Sequence, residues 1–345
     1  MLKKVVQMTT KKRYTISDIA KAANVSTTTI SRYLNGHHEY MSKETQDRIR
    51  FIIENCGYRP SAFAKGLKLN RSNLIGIILP VASTNMSSHF IHRICMACAK
   101  TKYNPLFMSI EMDEANEIEC LSKLLDYRVD GIISITGTTA KYIARMNMGD
   151  IPFVACDRPV DGVDCIYYDH YNAVRQAIRT LYEANYTNIA MFTTSSRKMA
   201  ESTLITRENA YEDFCKEYGI DRHFYVIDRE NRNESIGQAL EDFANRCPDE
   251  KKLIFTTNQP MLTRTDWLCH CRGYSQRGDM ALLGYALSDV ERDEMRLDSN
   301  IAGLISIPFA ELASKSLKLL VSRIEGEKLA HPQTEVLEPQ IEYYI

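Results

Sequence analysis

The stretch "YTISDIAKAANVSTTTISRYLNG", residues 14–36, constrains the fold more tightly than any other. Thr15, three residues before Asp18, reads as a helix start: a hydroxyl cap with an acid in the first turn, where the helix dipole favours it. Ile19, Ala20 and Ala23 follow at helical spacing, and Asn24 suits a left-handed turn position. Ser26 can cap a second helix carrying Ile30, Tyr33 and Leu34. Both helices are too short to persist alone, so they must pack on one another. Ser42 can cap a third, "SKETQDRIRFIIENCGY", with Ile49, Ile52 and Ile53 on one face and Gly57 as its stop. Two short helices across a tight turn, closed by a third, make a helix-turn-helix. At Ala20 the crossing leaves no room for a larger side chain.

The run Thr27-Thr28-Thr29 is then the anomaly. Branching at Cβ makes threonine a weak helix former. Placed just after the cap of a recognition helix, however, short hydroxyls face base edges and phosphates, where they donate, accept, or offer a methyl to thymine. Packing by Val25, Ile30 and Leu34 supplies the helix stability that the threonines do not.

Charge agrees with that placement. Before Leu74 stand fourteen Lys and Arg against five Asp and Glu, a net +9, which leaves −10 for the rest of a chain whose total is −1. A basic head on an acidic body is the electrostatic footprint of a nucleic-acid module joined to a domain of another kind. A solubilising charged terminus gives the same imbalance, so charge alone does not decide.

Together with "YRPSAFAKGLK", the head motif "TISDIAKAANVSTTTISRYLNG" resembles the lactose/galactose repressor (LacI/GalR) family of bacterial transcription regulators, and the likeness runs nearly end to end. Asn24 stands where many members have Gly. The resemblance implies that Thr27, Thr28 and Arg32 read bases, and that Ser26, Thr29, Ser31 and Asn35 touch phosphates. It implies a hinge at 60–72 that folds on operator, pairs with its dimer mate and, through Ala64, Lys65 and Leu67, enters the minor groove, Leu67 being the wedge that kinks the duplex. Lys65 replaces the usual Arg, keeping charge but losing the rigid fork. Gly66 weakens so short a helix by roughly 1 kcal/mol relative to Ala. A flexible basic linker has the same composition.

From Leu74 onward apolar runs alternate with helical stretches. "LIGIILP", "PLFMSI", "DGIISIT" and "IPFVACD" read as buried strands, and "NIAMFTT", "FYVID", "LIFTTN" and "MALLGYA" repeat the pattern after residue 185. Two sets of strand–helix alternation imply an α/β body of two parallel-sheet lobes, with a ligand cleft outside the carboxyl ends of the strands. The fold class expected is therefore an all-α helix-turn-helix head plus a two-lobed, periplasmic-binding-protein-like core, the latter name coming from the resemblance, as does a chain that crosses between lobes three times. Expected boundaries are 13–59 for the head, 60–72 for the hinge and 73–345 for the core. Within the core, 73–168 plus 307–325 form the first lobe and 169–306 plus 326–345 the second.

The resemblance places Asp157, Arg158, Arg207, Asn258 and Phe309 at effector positions. Carboxylate, guanidinium and amide groups suit a polyhydroxylated or anionic small molecule through fork-like hydrogen bonds. An interlobe ion pair for Asp157–Arg158, or anchoring roles for Arg207 and Asn258, would use the same residue types. The pocket also departs from the family pattern. "STNMSS" (83–88) replaces an aromatic-bearing loop, Ala286 and Leu287 stand where an acid pair is usual, and Ile307 stands where glutamine is common. Losing a carboxylate while keeping Arg158 and Arg207 favours a sugar acid or sugar phosphate over a neutral sugar. A cleft that binds little, with control by a protein partner or by expression level, is the other outcome.

Several classes are disfavoured. No run approaches the ~18 apolar residues of a membrane span, and "MLKKVVQMTTKKRY" lacks the apolar core of a signal peptide. Ten cysteines without framework spacing point to reduced thiols and a cytoplasmic, nucleoid-associated protein. Cys95-x-x-Cys98 and Cys269-x-Cys271 could in principle hold zinc, but the first pair lies on a helical pattern and the second is too short for a knuckle, so no metal or cofactor is expected. Enzyme motifs are missing: there is no G-x-G-x-x-G, phosphate-binding P-loop, G-x-S-x-G or H-E-x-x-H. The expectation is a sequence-specific DNA-binding regulator, a repressor in most members of the family, that binds a near-palindromic double-stranded operator as a homodimer under control of a small effector. After "EVLEPQIEYYI" no heptad tail is expected to build a tetramer. A secreted sugar-binding protein without a DNA role, and a nucleotide-dependent enzyme on a two-lobed sheet, are the rival readings.

Overall fold

A computed structural model describes residues 14–58, 71–80, 85–110, 114–135, 151–157, 159–194, 203–246, 250–274, 280–286, 300–327 and 331–344. The expected minor-groove residues Ala64, Lys65 and Leu67, together with Arg158 and Leu287, lie outside the described residues. The chain divides into two compact units at Ser72/Asn73.

The first unit is three helices: α1 (Ile16–Ala23), α2 (Thr27–Leu34) and α3 (Lys43–Cys56). Each begins at a hydroxyl cap. Thr15 and Asp18 form a reciprocal capping box, with Thr15 N donating to Asp18 Oδ2 at 2.9 Å and Asp18 N donating to Thr15 Oγ1 at 3.3 Å. Ser26 Oγ accepts from Thr29 N at 3.1 Å, and Ser42 Oγ from Thr45 N at 3.3 Å. The α1–α2 turn needs a left-handed residue, and Asn24 supplies it at φ 52, ψ 49. Gly57, at φ +62, closes α3 in the same conformation. Ile19, Ala20, Ala23, Ile30 and Ile49 form the buried core, with Val25, Tyr33, Leu34, Ile52 and Ile53 half-buried around it.

The second unit holds two six-stranded sheets. In chain order the first lobe runs β1 (Leu74–Pro80), α4 (Asn85–Cys98), β2 (Asn104–Ile110), α5 (Glu114–Asp126), β3 (Gly131–Ser134), β4 (Phe153–Cys156) and β5 (Asp164–Tyr168). The second runs α6 (His170–Glu183), β6 (Asn188–Thr193), α7 (Thr203–Tyr218), β7 (His223–Val226), α8 (Arg232–Arg246), β8 (Lys252–Thr256), α9 (Gln259–Cys271), β9 (Met280–Ala286) and β10 (Ile301–Ser306). The chain then returns through α10 (Phe309–Ile324) and β11 (Thr334–Leu337) before β12 (Gln340–Tyr343). Strand orders are β11-β5-β4-β3-β1-β2 and β12-β10-β9-β8-β6-β7. All pairings are parallel except β12, an antiparallel edge strand on β10.

Parallel sheets covered on both faces need strands that are apolar throughout. β3, β4, β8 and β9 are accordingly buried at every position. The covering helices turn one face inward, as α6 does with Ala173, Val174, Ala177, Ile178 and Leu181. At Gly131 a Cβ would lie 2.9 Å from both Leu320 Cδ1 and Ile324 Cδ1, so glycine is what lets α10 seat on β3.

Four strands escape the reading of apolar runs: β5, β10, β11 and β12. One expected boundary is also corrected. Residues 326–345 do not all belong to the second lobe, because β11 pairs with β5 in the first sheet and only β12 joins the second. The reason is local: Asp164 at the start of β5 accepts from Gln333 N at 2.7 Å and takes a fork from Arg323 Nε and Nη2, both at 2.7 Å. That anchor draws the chain after α10 back onto the first sheet.

The three crossings between lobes are tied together. Tyr168 Oη donates to Pro308 O at 2.7 Å, linking the first crossing to the second, and Asp169 N donates to Leu337 O at 3.0 Å, linking the first to the third.

Candidate functional site

Two surfaces carry candidate chemistry, one in each unit. On the head, Thr27, Thr28 and Arg32 are exposed on α2, whose inner face is held by buried Ile30. Asn35 and Ser26 are also exposed, while Thr29 and Ser31 are half-buried. The expected phosphate-facing groups are partly engaged within the helix: Ser26 Oγ and Thr29 Oγ1 lie 3.0 Å apart, and Asn35 Nδ2 donates to Ser31 O at 2.9 Å. The helix therefore presents two free-standing hydroxyls and one guanidinium outward from a capped, pre-formed end. Residue-by-residue reasoning missed Tyr40. Its ring, in a short turn at His38–Tyr40, lies 4.7 Å from Arg32 Cζ and restrains that side chain by a cation–π contact.

In the second unit the strand ends converge as the topology demands. Asp157 follows β4 and is buried, at φ +73, a left-handed position that aspartate tolerates better than most residues. Its Oδ1 lies 3.6 Å from Nε2 of His170, the first residue of α6 and itself fully buried. Arg207, on the first turns of α7, is 7% exposed. Its Nη1 donates to Thr257 O at 2.5 Å, its Nη2 lies 3.5 Å from both ring nitrogens of His170, and its Cζ sits 3.8 Å over the Tyr285 ring. Tyr285 Oη is 3.4 Å from His170 Nδ1. Carboxylate, imidazole, guanidinium and phenol thus meet from β4, α6, α7 and β9.

The electrostatics follow from burial. Desolvation holds the His170 imidazole below its ordinary pKa; the nearby Arg207 charge adds to this, and the Asp157 carboxylate opposes it. Burial likewise pushes the Tyr285 phenol up to about 12. Among the described residues no carboxylate pairs with the Arg207 guanidinium, and its buried Nε finds no hydrogen-bond acceptor. The neighbouring Glu208 is buried but spent elsewhere: Thr257 Oγ1 lies 3.3 Å from Thr193 Oγ1, which donates to Glu208 Oε1 at 2.8 Å.

Asn258 and Phe309 are engaged in contacts of their own. Asn258 caps α9 through Oδ1, which accepts from Met261 N at 3.0 Å, so its amide Nδ2 and one lone pair of Oδ1 are left to offer a ligand. Phe309 starts α10, is buried, and stacks on His89 with centroids 6.3 Å apart. Ala286 and Ile307, where the expected acid and glutamine are replaced, are both buried. Sequence reasoning missed His170 and Tyr285. A signal for His170 exists in "YYDHY": Asp169 caps α6, which puts the next side chain at a strand's carboxyl end.

Every described cysteine is a free thiol, no group of three or more metal-ligating side chains occurs among the described residues, and none of their helices is long and apolar enough to cross a membrane.

Comparisons with known proteins agree with this architecture. Residues 15–61 match the family described as "Bacterial regulatory proteins, lacI family". Residues 72–264 match "Periplasmic binding proteins and sugar binding domain of LacI family". The HTH-type transcriptional regulator KdgR of Bacillus subtilis is 25% identical over 332 residues, covering 95% of this chain and 96% of that protein. The HTH-type transcriptional regulator PtxS of Pseudomonas plecoglossicida is 35% identical over 180 residues, 51% of this chain and 53% of that protein. Among solved structures, the Lac repressor bound to ONPG in its repressed state superposes with a TM-score of 0.78 at 17% identity, covering 96% of this chain and 98% of that one. With a capped helix-turn-helix head, two parallel sheets crossed three times and matches spanning both parts, this chain belongs to the LacI family of DNA-binding transcription regulators and is not an enzyme.

Proposed function

We propose that this protein is a repressor that binds a near-palindromic operator as a homodimer, with affinity set by an anionic, sugar-like effector held at Arg207. Thr27, Thr28 and Arg32 read bases; Ser26, Thr29, Ser31 and Asn35 steady the helix on phosphates; Ala64, Lys65 and Leu67 enter the minor groove; and Asp157, Arg158, Asn258 and Phe309 complete the effector site around Arg207. The Lac repressor has been solved as a dimer bound to operator and an anti-inducer, and CelR in complex with cellobiose, which supports an operator-plus-sugar reading for a chain of this fold.

One observation carries the choice of an anion. Arg207 is 7% exposed, yet no described carboxylate pairs with it and its Nε finds no described acceptor. A buried charge without a counter-ion is expensive, and a ligand carboxylate or phosphate would supply both the charge and the missing acceptor. The expected effector is a sugar acid or sugar phosphate. Titration calorimetry with D-gluconate, D-glucuronate and glucose 6-phosphate against D-glucose tests it; binding of glucose alone overturns it.

For the head, selection of bound sequences from a random DNA pool is expected to return a two-fold symmetric motif. A set of bound sequences without symmetry, at moderate salt, would refute the dimeric operator reading. Arg32→Lys on the selected operator separates base reading from charge. It keeps the cation but loses the planar fork, so affinity is expected to fall by about 1–3 kcal/mol. The slope of log K against log salt should stay unchanged, because each phosphate contact contributes about 0.9 to it and no charge is lost. Anisotropy titrations at several salt concentrations read both quantities, and an affinity that Arg32→Lys leaves unchanged would remove Arg32 from base reading, since only the planar fork is lost.

A further inference from the structure

His170 is a buried titratable group in the cleft whose described neighbours come from both lobes. Asp157, on its Nε2 side at 3.6 Å, belongs to the first sheet. Arg207 at 3.5 Å and Tyr285 at 3.4 Å belong to the second. Tyr168, on the preceding strand, faces the imidazole at 6.4 Å between ring centroids, and Asp169 adjoins it in the chain as the cap of α6. The residue opens the helix that follows the first interlobe crossing, two positions after the tyrosine that ties that crossing to Pro308.

The spacing of the contacts is informative. All lie between 3.4 and 3.6 Å, longer than a well-formed hydrogen bond, and Arg207 Nη2 is equidistant from both ring nitrogens. A neutral imidazole bracketed this loosely satisfies neither the carboxylate on one side nor the phenol on the other. What keeps it neutral is burial together with the guanidinium alongside. An anion that engages Arg207 removes the second of these restraints, and the imidazole then lies between two negative groups, Asp157 and the ligand. A neutral sugar leaves the guanidinium charge in place.

We propose that His170 is a specificity-determining residue that takes up a proton when an anionic effector engages Arg207, so that ligand charge, interlobe contact and pH are linked at one side chain. This rests on the anionic-effector reading above and adds to it. The imidazolium formed pairs with Asp157 across the lobes, which a neutral ligand cannot induce. The linkage has a definite sign. Since the complex holds a proton that the free protein lacks, affinity for the anion rises as pH falls, by at most tenfold per pH unit.

The test uses the full-length protein with D-gluconate or D-glucuronate, whose carboxyl groups stay ionised across the range because carboxyl pKa values lie near 3.5. Calorimetry at about pH 7 in two buffers of different ionisation enthalpy counts protons, and titrations from about pH 6 to 8 give the affinity slope, centred on the ordinary histidine range. Uptake approaching one proton per ligand is expected for the native protein and close to none for His170→Asn, which preserves a polar, hydrogen-bonding side chain. His170→Gln serves should the asparagine variant fail to fold, and thermal unfolding checks both. Binding with no proton uptake, or uptake that persists in the folded variants, overturns the role of His170 while leaving the effector class intact. Binding of neither sugar acid alongside binding of D-glucose overturns the anionic-effector reading itself, and the proposal with it.

Discussion

Replacing Ala20 with leucine is expected to abolish operator binding while leaving the unfolding of the two-lobed unit unchanged. Ala20 is 4% exposed where α1 crosses α2, and its carbonyl accepts from Val25 N at 3.0 Å across the turn. Three added carbons must be fitted into a buried core that Ala20 shares with Ile19, Ala23, Ile30 and Ile49. Overpacking of this kind destabilises by about 1–3 kcal/mol in ordinary cores. Here it falls on a unit of three short helices whose buried core is only Ile19, Ala20, Ala23, Ile30 and Ile49, so a loss of that size is a large share of the unit's stability. Because residues 1–72 and 73–345 form separate compact units, circular dichroism should resolve loss of the head from an intact core. A variant that still binds operator within about twofold would mean that the crossing is looser than the burial implies. Ala20→Gly, which only loosens the helix, should retain partial binding and so marks steric crowding as the cause.

The second large effect belongs to the cleft. Arg207→Met retains a flexible apolar stem against Tyr285 but removes the charge and its bond to Thr257 O. Truncating one member of a buried charge pair costs about 2–5 kcal/mol of binding, so affinity for a sugar acid should fall by roughly thirtyfold to several thousandfold. Stability of the ligand-free core should not fall in parallel, because the guanidinium is buried there without a described carboxylate and its removal also relieves desolvation. A loss of several kcal/mol in the unliganded protein would recast Arg207 as a structural anchor.

The same variant alters acid sensitivity. Folding lowers the pKa of His170, so its contribution to stability is complete above the unfolded value of about 6.5 and is lost as pH falls through the folded value. Arg207 is the second cause of that depression after burial. Without it the folded and unfolded values lie closer, and the decline in stability on acidification below about pH 6.5 should be shallower than in the native protein. Denaturant titrations across that window read the difference directly.

Much of the head was legible because its determinants are local. Thr15, Ser26 and Ser42 mark helix starts by a bond that reaches only three residues, and Asn24 and Gly57 mark the turns by backbone conformation. Six strands of the body, β1, β3, β4, β6, β8 and β9, were equally legible, since a strand buried on both faces must be apolar throughout. The edge strands β11 and β12 carry no such mark: three of four positions in β11 are exposed and none in β12 is fully buried. Their sheet membership depends on long-range partners, above all the Arg323–Asp164 fork that returns the chain to the first lobe.

The cleft divides in the same way. Arg207 and Asn258 were named through the family resemblance, but Asn258 Oδ1 also caps α9, a duty that appears only once Met261 N is seen 3.0 Å away. His170 and Tyr285 stand 115 positions apart and approach only because two sheets place their strand ends together. By itself, then, the sequence determined the capped three-helix head, the basic surface it presents and the two runs of strand–helix alternation, all written in short-range patterns of hydroxyls, charge and apolar spacing. Only the tertiary structure decided which lobe takes the last strands and which groups surround Arg207. Those are contacts between residues far apart in the chain, chosen by packing and by the need of buried charges for partners.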